Sequence, residues 1–157
     1  MKKLVKKDDY KIKVCEMSIK YNCKVKASER TKADTSNTLY EVFKSVFDPD
    51  TINLYESAYV ALLNNKMDVL GVIRVGEGAT SYTVFNLKKA MQAAILCNAS
   101  AMVLCHNHPS GSLQPSNDDK KITEQAKGMC NVMQIRLLDH LIITEENYFS
   151  FHENGMM

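Results

Sequence analysis

The chain has 157 residues, 45% of them hydrophobic and 24% charged, and a formal net charge of +2. A chain of that length builds one domain around its own core, and the composition excludes disordered, collagen-like and membrane classes. The longest apolar runs, YVALL and AMVLC, fall far short of the ~20 residues of a membrane helix, and no apolar signal region follows the basic start MKKLVKKDDYK, so a cytoplasmic protein without a membrane partner is expected.

Positive charge gathers before residue 34, at Lys2, Lys3, Lys6, Lys7, Lys11, Lys13, Lys20, Lys24 and Lys26. Such a segment can touch phosphates through nonspecific, salt-sensitive contacts, but a solvated terminus is the simpler reading. Across Cys15, Met17, Ile19 and Tyr21 apolar residues alternate with the period of a half-buried strand. The polar stretch ASERTKADTSN follows, and Ser36 or Asn37 then caps a helix that carries Leu39, Val42, Phe43 and Val46 on one face and is stopped by DPD. YESAYVALLNNKMDVLGVIRVGEG reads as two apolar, β-branched runs joined by NNKMD, a hairpin or two neighbouring strands, with Glu56 at the start of the first.

Leu87, Ala90, Met91, Ala94 and Ile95 mark one face of a helix running to about Cys97, and SAMVLC is a fully apolar run of strand length. Ile122, Ala126, Met129 and Met133 predict a third helix, and IRLLDHLIIT, EEN and YFSF a closing pair of strands. With no internal repeat and no linker, strands alternating with helices predict an α/β or α+β sheet with helices packed on it, where ligand sites favour the loops at strand C-termini. The cysteines at 15, 23, 97, 105 and 130 are odd in number, scattered through apolar stretches and without a C-x-x-C pair, which suits reduced thiols acting as core fillers.

The stretch VLCHNHPSGSLQPSNDD, residues 103–119, carries the chemistry. In an extended backbone residues i and i+2 point to the same side, so His106 and His108 can present their imidazoles to one point at the end of a strand. Pro109, Ser110 and Gly111 turn the chain, since Pro presets φ and Gly admits positive φ, and Asp119 follows on the first turn of a new helix. His, His and Asp are three ligands of the kind a hydrolytic zinc site uses, with the fourth tetrahedral position left to water. SNDD at 116–119 equally fits a helix N-cap, Ser116, with Asp119 as its reciprocal partner. Two histidines near a strand end also occur as satisfied polar groups at a loop, and it is the combination that favours a metal site. Cys105, beside His106, is expected to point to the opposite face and pack in the core. Asp139 and His140 lie in an apolar run, where a buried, hydrogen-bonded histidine is the ordinary reading and orientation of a ligand a further one. His152 is expected at the surface. The letters HNH do not signal the nucleases of that name, whose motif is assembled from dispersed residues on a ββα unit.

HNHPSGSLQPSNDD, with ESAYVALL upstream and LLDHLIIT and YFSFHENG downstream, resembles the RadC branch of the JAMM (MPN/JAB) metalloprotease-like domains over approximately residues 35–157. The likeness includes an upstream Glu at a strand start, the H-x-H, seven residues between His108 and Ser116, and the Asp three further on. It divides the chain into a basic extension, 1–34, and a domain, 35–157. It implies a single mixed, curved sheet flanked by helices in a cytidine-deaminase-like layering. It further implies one zinc ion per chain on His106, His108 and Asp119, Glu56 as the acid/base, and Ser116 hydrogen-bonding near the developing oxyanion. A carboxylate beside the water of a hydrolytic zinc centre accepts a proton and passes it to the leaving amine. Glu77, flanked by glycines in VGEGA, is the rival for that role, and the family pattern favours Glu56. The implied activity is hydrolysis of an amide bond in a peptide, an isopeptide or a small amide. The traditional association of RadC with DNA repair supplies a second reading, a module with weak nucleic-acid binding and a structural metal. Longer RadC proteins carry an N-terminal helix-hairpin-helix region that the first 35 residues here are too few and too strand-like to supply, which weakens the DNA reading.

Overall fold

A computed structural model of the chain describes residues 18, 20, 21, 23–79 and 85–157. The strand expected across Cys15–Tyr21 and most of the basic extension therefore lie outside the described residues.

Helix α1, Ser36–Lys44, starts one residue earlier than the sequence predicts. Its N-cap is Thr35, whose side chain accepts from the Thr38 amide while Thr38 reaches back to the Thr35 amide. Ser36 and Asn37, the expected caps, both lie inside the helix, and Ser36 is buried and donates to the Asp139 carboxylate at 3.2 Å. Leu39, Tyr40 and Phe43 form the buried face of α1, while Val46 lies beyond its end and is exposed.

The predicted hairpin is present as β1, Glu56–Leu63, and β2, Val69–Ala79, paired antiparallel. Helix α2, Leu87–Leu96, follows with Leu87, Ala90, Met91 and Ala94 inward and Ile95 outward. Strand β3, Ala101–Asn107, is buried along its whole length, as a continuous apolar run covered on both faces should be. Helix α3, Asn117–Val132, crosses to β4, Arg136–Ile143, and β5, Tyr148–Ser150, closes the sheet. The strand order is β2-β1-β3-β4-β5, with β3 and β4 parallel and every other neighbouring pair antiparallel. The protein is thus a mixed α/β domain with a five-stranded mixed sheet flanked by three helices.

Two cores follow from the two-residue period of the central strands. Ala58, Val60, Leu62, Met102 and Leu104 face α2 and α3. Ala61, Leu63, Val103, Cys105, Leu141 and Ile143 face α1, against Leu39 and Phe43. Cys105 packs on this second side as expected, and its burial together with the nearby Asp139 charge pushes its thiol well above the usual range. Cys130 is also buried, Cys97 is half-buried and packs against the first core, and Cys23 is half-buried outside both cores.

The buried stripe of α3 departs from the prediction. Asp119, Thr123, Ala126 and Cys130 face the sheet, while Met129 and Met133 are exposed. Hydrophobicity misplaces the face because two of its inward positions are polar, and these are the ones nearest the histidines.

Candidate metal centre

The strand period carries His106, the sixth residue of β3, onto the face covered by α2 and α3, and His108 follows just past the strand end. The His108 amide donates to the Ile143 carbonyl at 3.0 Å, tying this position to the end of β4. The Gly111 amide donates back to the His108 carbonyl at 3.0 Å, and Gly111 has φ +77°. This is the turn expected from PSG, with glycine where positive φ is needed.

Ser116 is the N-cap of α3 and Asp119 occupies its third helical position. Asp119 Oδ2 accepts from both the Ser116 amide and the Ser116 hydroxyl at 2.7 Å, and the Asp119 amide donates to Ser116 Oγ at 3.1 Å. The cap reading of SNDD holds, and it is compatible with Asp119 also offering a ligand atom. Capping fixes Oδ2 and leaves Oδ1 facing His106 Nε2 at 3.1 Å. His108 Nε2 lies 3.5 Å from Oδ2 and 3.0 Å from His106 Nε2. The Ser116 hydroxyl proton is directed at Asp119, so in this arrangement Ser116 holds the carboxylate.

The three side chains fit a metal ion on two counts. Ligand atoms bonded to one zinc at about 2.0–2.1 Å in a tetrahedral array stand roughly 3.3–3.4 Å apart; His106 Nε2 lies 3.0 Å from His108 Nε2 and 3.1 Å from Asp119 Oδ1, a few tenths of an ångström inside that edge, and the three ligand atoms lie within 4.8 Å of one another. The second count is proton bookkeeping. His108 Nδ1 lies 2.7 Å from the Ser112 carbonyl oxygen, which only accepts, so Nδ1 carries the proton and Nε2 presents a lone pair. Two imidazole nitrogens and a carboxylate that converge in a buried place need a cation between them, either a proton or a metal ion. The electrostatics agree. Burial alone would raise the Asp119 carboxyl, but the adjacent His106 and His108 imidazoles and the Ser116 hydroxyl hold it far below the usual carboxylate range. Burial lowers the His108 imidazole, yet the hydrogen bonds to Asp119 and Ser112 and the charges of Asp119 and Glu56 outweigh it and leave its pKa raised.

Of the two carboxylates weighed from sequence, the fold brings only Glu56 to the histidines. Ala58, two residues on from Glu56, pairs with His106 across the β1–β3 ladder, and the Glu56 charge acts on the His108 imidazole. Glu77 pairs with Ser57, on the opposite face, where it is held by Arg74 and accepts from the Tyr55 hydroxyl at 3.4 Å.

Asn107, between the two histidines, escapes a sequence reading that looks only at the H-x-H. Its side chain turns to the opposite face, donates to the Ile52 carbonyl at 2.6 Å and the Tyr55 carbonyl at 2.9 Å, and accepts from the Ser57 amide at 2.7 Å. It thereby latches the segment that delivers Glu56. His140 is fully buried, with Nε2 2.9 Å from His106 Nδ1. Its neighbour Asp139 does not partner the imidazole; it accepts from Ser36, from Ser150 at 2.6 Å and from the amides of His140 and His152. His152 is exposed, as expected.

Fold and site define a mixed α/β domain whose His106, His108 and Asp119 form a cluster able to hold a metal ion. The family model of the RadC-like JAB domain matches residues 33–156, and the chain belongs to that family. It is similar to a UPF0758 protein of Flavobacterium johnsoniae, 36% identical over 102 residues, covering 65% of this chain and 44% of the relative. A UPF0758 protein of Histophilus somni is 37% identical over 117 residues, covering 68% of this chain and 53% of the relative. One of Chlorobium luteolum is 38% identical over 102 residues, covering 65% and 46%. The chain spans about half the length of the curated relatives it matches. No described helix is long and apolar enough to cross a membrane.

Proposed function

We propose that the protein is a zinc-dependent hydrolase that cleaves an amide bond in a peptide, an isopeptide or a small amide, with one zinc ion held by His106, His108 and Asp119. The observation that carries this reading is the convergence of two imidazole Nε2 atoms and one carboxylate oxygen, 3.0–3.1 Å apart at the histidine edge and the His106–Asp119 edge. Bound there, zinc lowers the pKa of water to about 7 and polarises a carbonyl oxygen.

The remaining work falls to the chain. Glu56 takes a proton from the attacking water and delivers it to the leaving nitrogen, so that amide and water become a carboxylic acid and an amine, which exchange the remaining proton to give carboxylate and ammonium. Its place at the head of β1, two residues before the partner of His106, and the action of its charge on His108 support that role over Glu77. Ser116 keeps Asp119 oriented, and for it to meet an oxyanion its hydroxyl must first leave Oδ2.

Elemental mass spectrometry of the purified protein tests the reading, with His108→Ala and Asp119→Ala beside the wild type. One zinc per chain, lost in both variants, supports it and justifies screening amide and isopeptide substrates. No zinc in the wild type, or zinc retained in both variants, refutes it and turns attention to salt-dependent binding of duplex or branched DNA.

A further inference from the structure

His106 Nδ1 meets a hydrogen-bonded chain that leads back to the helix carrying the third ligand. His106 Nδ1 lies 2.9 Å from His140 Nε2, and His140 Nδ1 lies 2.7 Å from Thr123 Oγ1. Thr123 Oγ1 in turn donates to the backbone carbonyl of Asp119 at 2.6 Å. His106, His140 and Thr123 are all almost completely buried, so each proton in this chain must be shared among these groups.

The directions follow from chemistry. A carbonyl oxygen only accepts, so the single Thr123 proton goes to Asp119 and Thr123 Oγ1 must accept from His140 Nδ1–H. His140 then has a lone pair on Nε2, which accepts from His106 Nδ1–H. That leaves His106 Nε2 without a proton, facing His108 and Asp119. Reversing the chain, with Thr123 donating to His140, would put the proton on His106 Nε2 and close it to a metal. Burial, reinforced by the neighbouring His106, presses the His140 pKa well below the usual imidazole value, in keeping with a neutral ring. Phe151 stacks on His140 with centroids 4.8 Å apart, and Phe85 meets both His140 and His106 edge-on at 5.4 and 5.8 Å, so neither ring can turn freely.

We propose that His140 and Thr123 are positioning residues that set the tautomer of His106, making its Nε2 a metal ligand, and that the chain ties the His106 and Asp119 ligands to one another through α3 and β4. The inference rests on the metal reading above but is separable from it, because the tautomer exists without metal. The test has two parts. In the metal-free wild-type protein, nitrogen NMR of the imidazoles should show both His106 and His140 protonated on Nδ1 and bare on Nε2. Zinc affinity, measured by chelator competition on folded protein, should fall by about 10–100-fold in Thr123→Val and return towards the wild-type value in Thr123→Ser, which restores the hydroxyl. A hydroxyl that served only packing would change the melting temperature and leave both the tautomer and the affinity in place.

A proton on Nε2 of His140 or His106 in the wild type overturns the proposal, as does unchanged zinc affinity in Thr123→Val. Should Thr123→Val fail to fold, the wild-type nitrogen spectrum still decides. Should the wild type bind no zinc while showing the Nδ1-protonated pair, the hydrolase reading fails and the tautomer assignment stands.

Discussion

Replacing Asn107 with alanine separates the part of the site that would hold metal from the part that delivers Glu56. Asn107 is fully buried and makes three hydrogen bonds to the chain entering β1, with Ile52, Tyr55 and Ser57. Truncation strands two carbonyls and one amide, and a buried polar group left unpaired costs about 1–3 kcal/mol. Tyr55 and Glu56 are half-buried, so water reaches part of the vacated space and the losses do not add in full. A net loss of about 3 kcal/mol lowers the melting temperature of a domain of this size by roughly 6–12 °C. Zinc content should persist, because the ligand side chains lie on the other face of β3 and on α3. Thermal melting followed by circular dichroism, zinc analysis and hydrogen exchange at the Ser57 amide check the three parts. A melting temperature equal to that of the wild type, or a Ser57 amide that exchanges no faster, would refute the latch.

Ser116→Ala should cost about 1 kcal/mol of stability, as expected for a lost helix cap, and should weaken zinc binding as Asp119 Oδ2 loses its hydroxyl partner; denaturant melting and chelator competition measure the two effects. Glu56→Gln should retain stoichiometric zinc and lose amide hydrolysis, whereas Glu77→Gln should retain both, read by zinc analysis beside turnover of whichever substrate the screen yields. Zinc affinity should be level at alkaline pH and fall as the solution is acidified. A proton on His108 excludes the metal, and the raised His108 pKa brings that loss in at a higher pH than an ordinary imidazole near 6.5 would. Chelator titration across pH checks the direction. Removing zinc should lower the melting temperature, and free zinc at about 100 times its dissociation constant should contribute about 2.7 kcal/mol, which calorimetry with and without chelator reads.

Much of the fold is legible in local pattern. The apolar, β-branched runs either side of NNKMD, SAMVLC and IRLLDHLIIT locate β1 to β4, and turn residues separate them, because strand formation and chain reversal depend on neighbours in sequence. The helix faces are less legible. On α3 the inward positions Asp119 and Thr123 are polar because they serve the site, and the hydrophobic pattern points instead to Met129 and Met133, which are exposed. The capping of α1 by Thr35 in place of Ser36 or Asn37 goes with Asp139, which lies 103 residues away from Ser36 and claims its hydroxyl.

The gathering of His106, His108 and Asp119 into a cluster that could hold a metal ion is written in local sequence. His106 and His108 share a side because a strand repeats every second residue, and Asp119 returns to them because a turn and a capping box are encoded within a few residues of one another. Tertiary structure alone decided which distant groups join them. The charge of Glu56 acts on His108, whereas Glu77 pairs with Ser57 on the other face of β1 and is held by Arg74. His140 reaches His106 because β3 and β4 pair in parallel with Leu104 opposite His140, and Thr123 reaches His140 because α3 packs over β4. Strand register and helix docking are set by the burial of whole faces, a sum over many residues, and no single short stretch contains it.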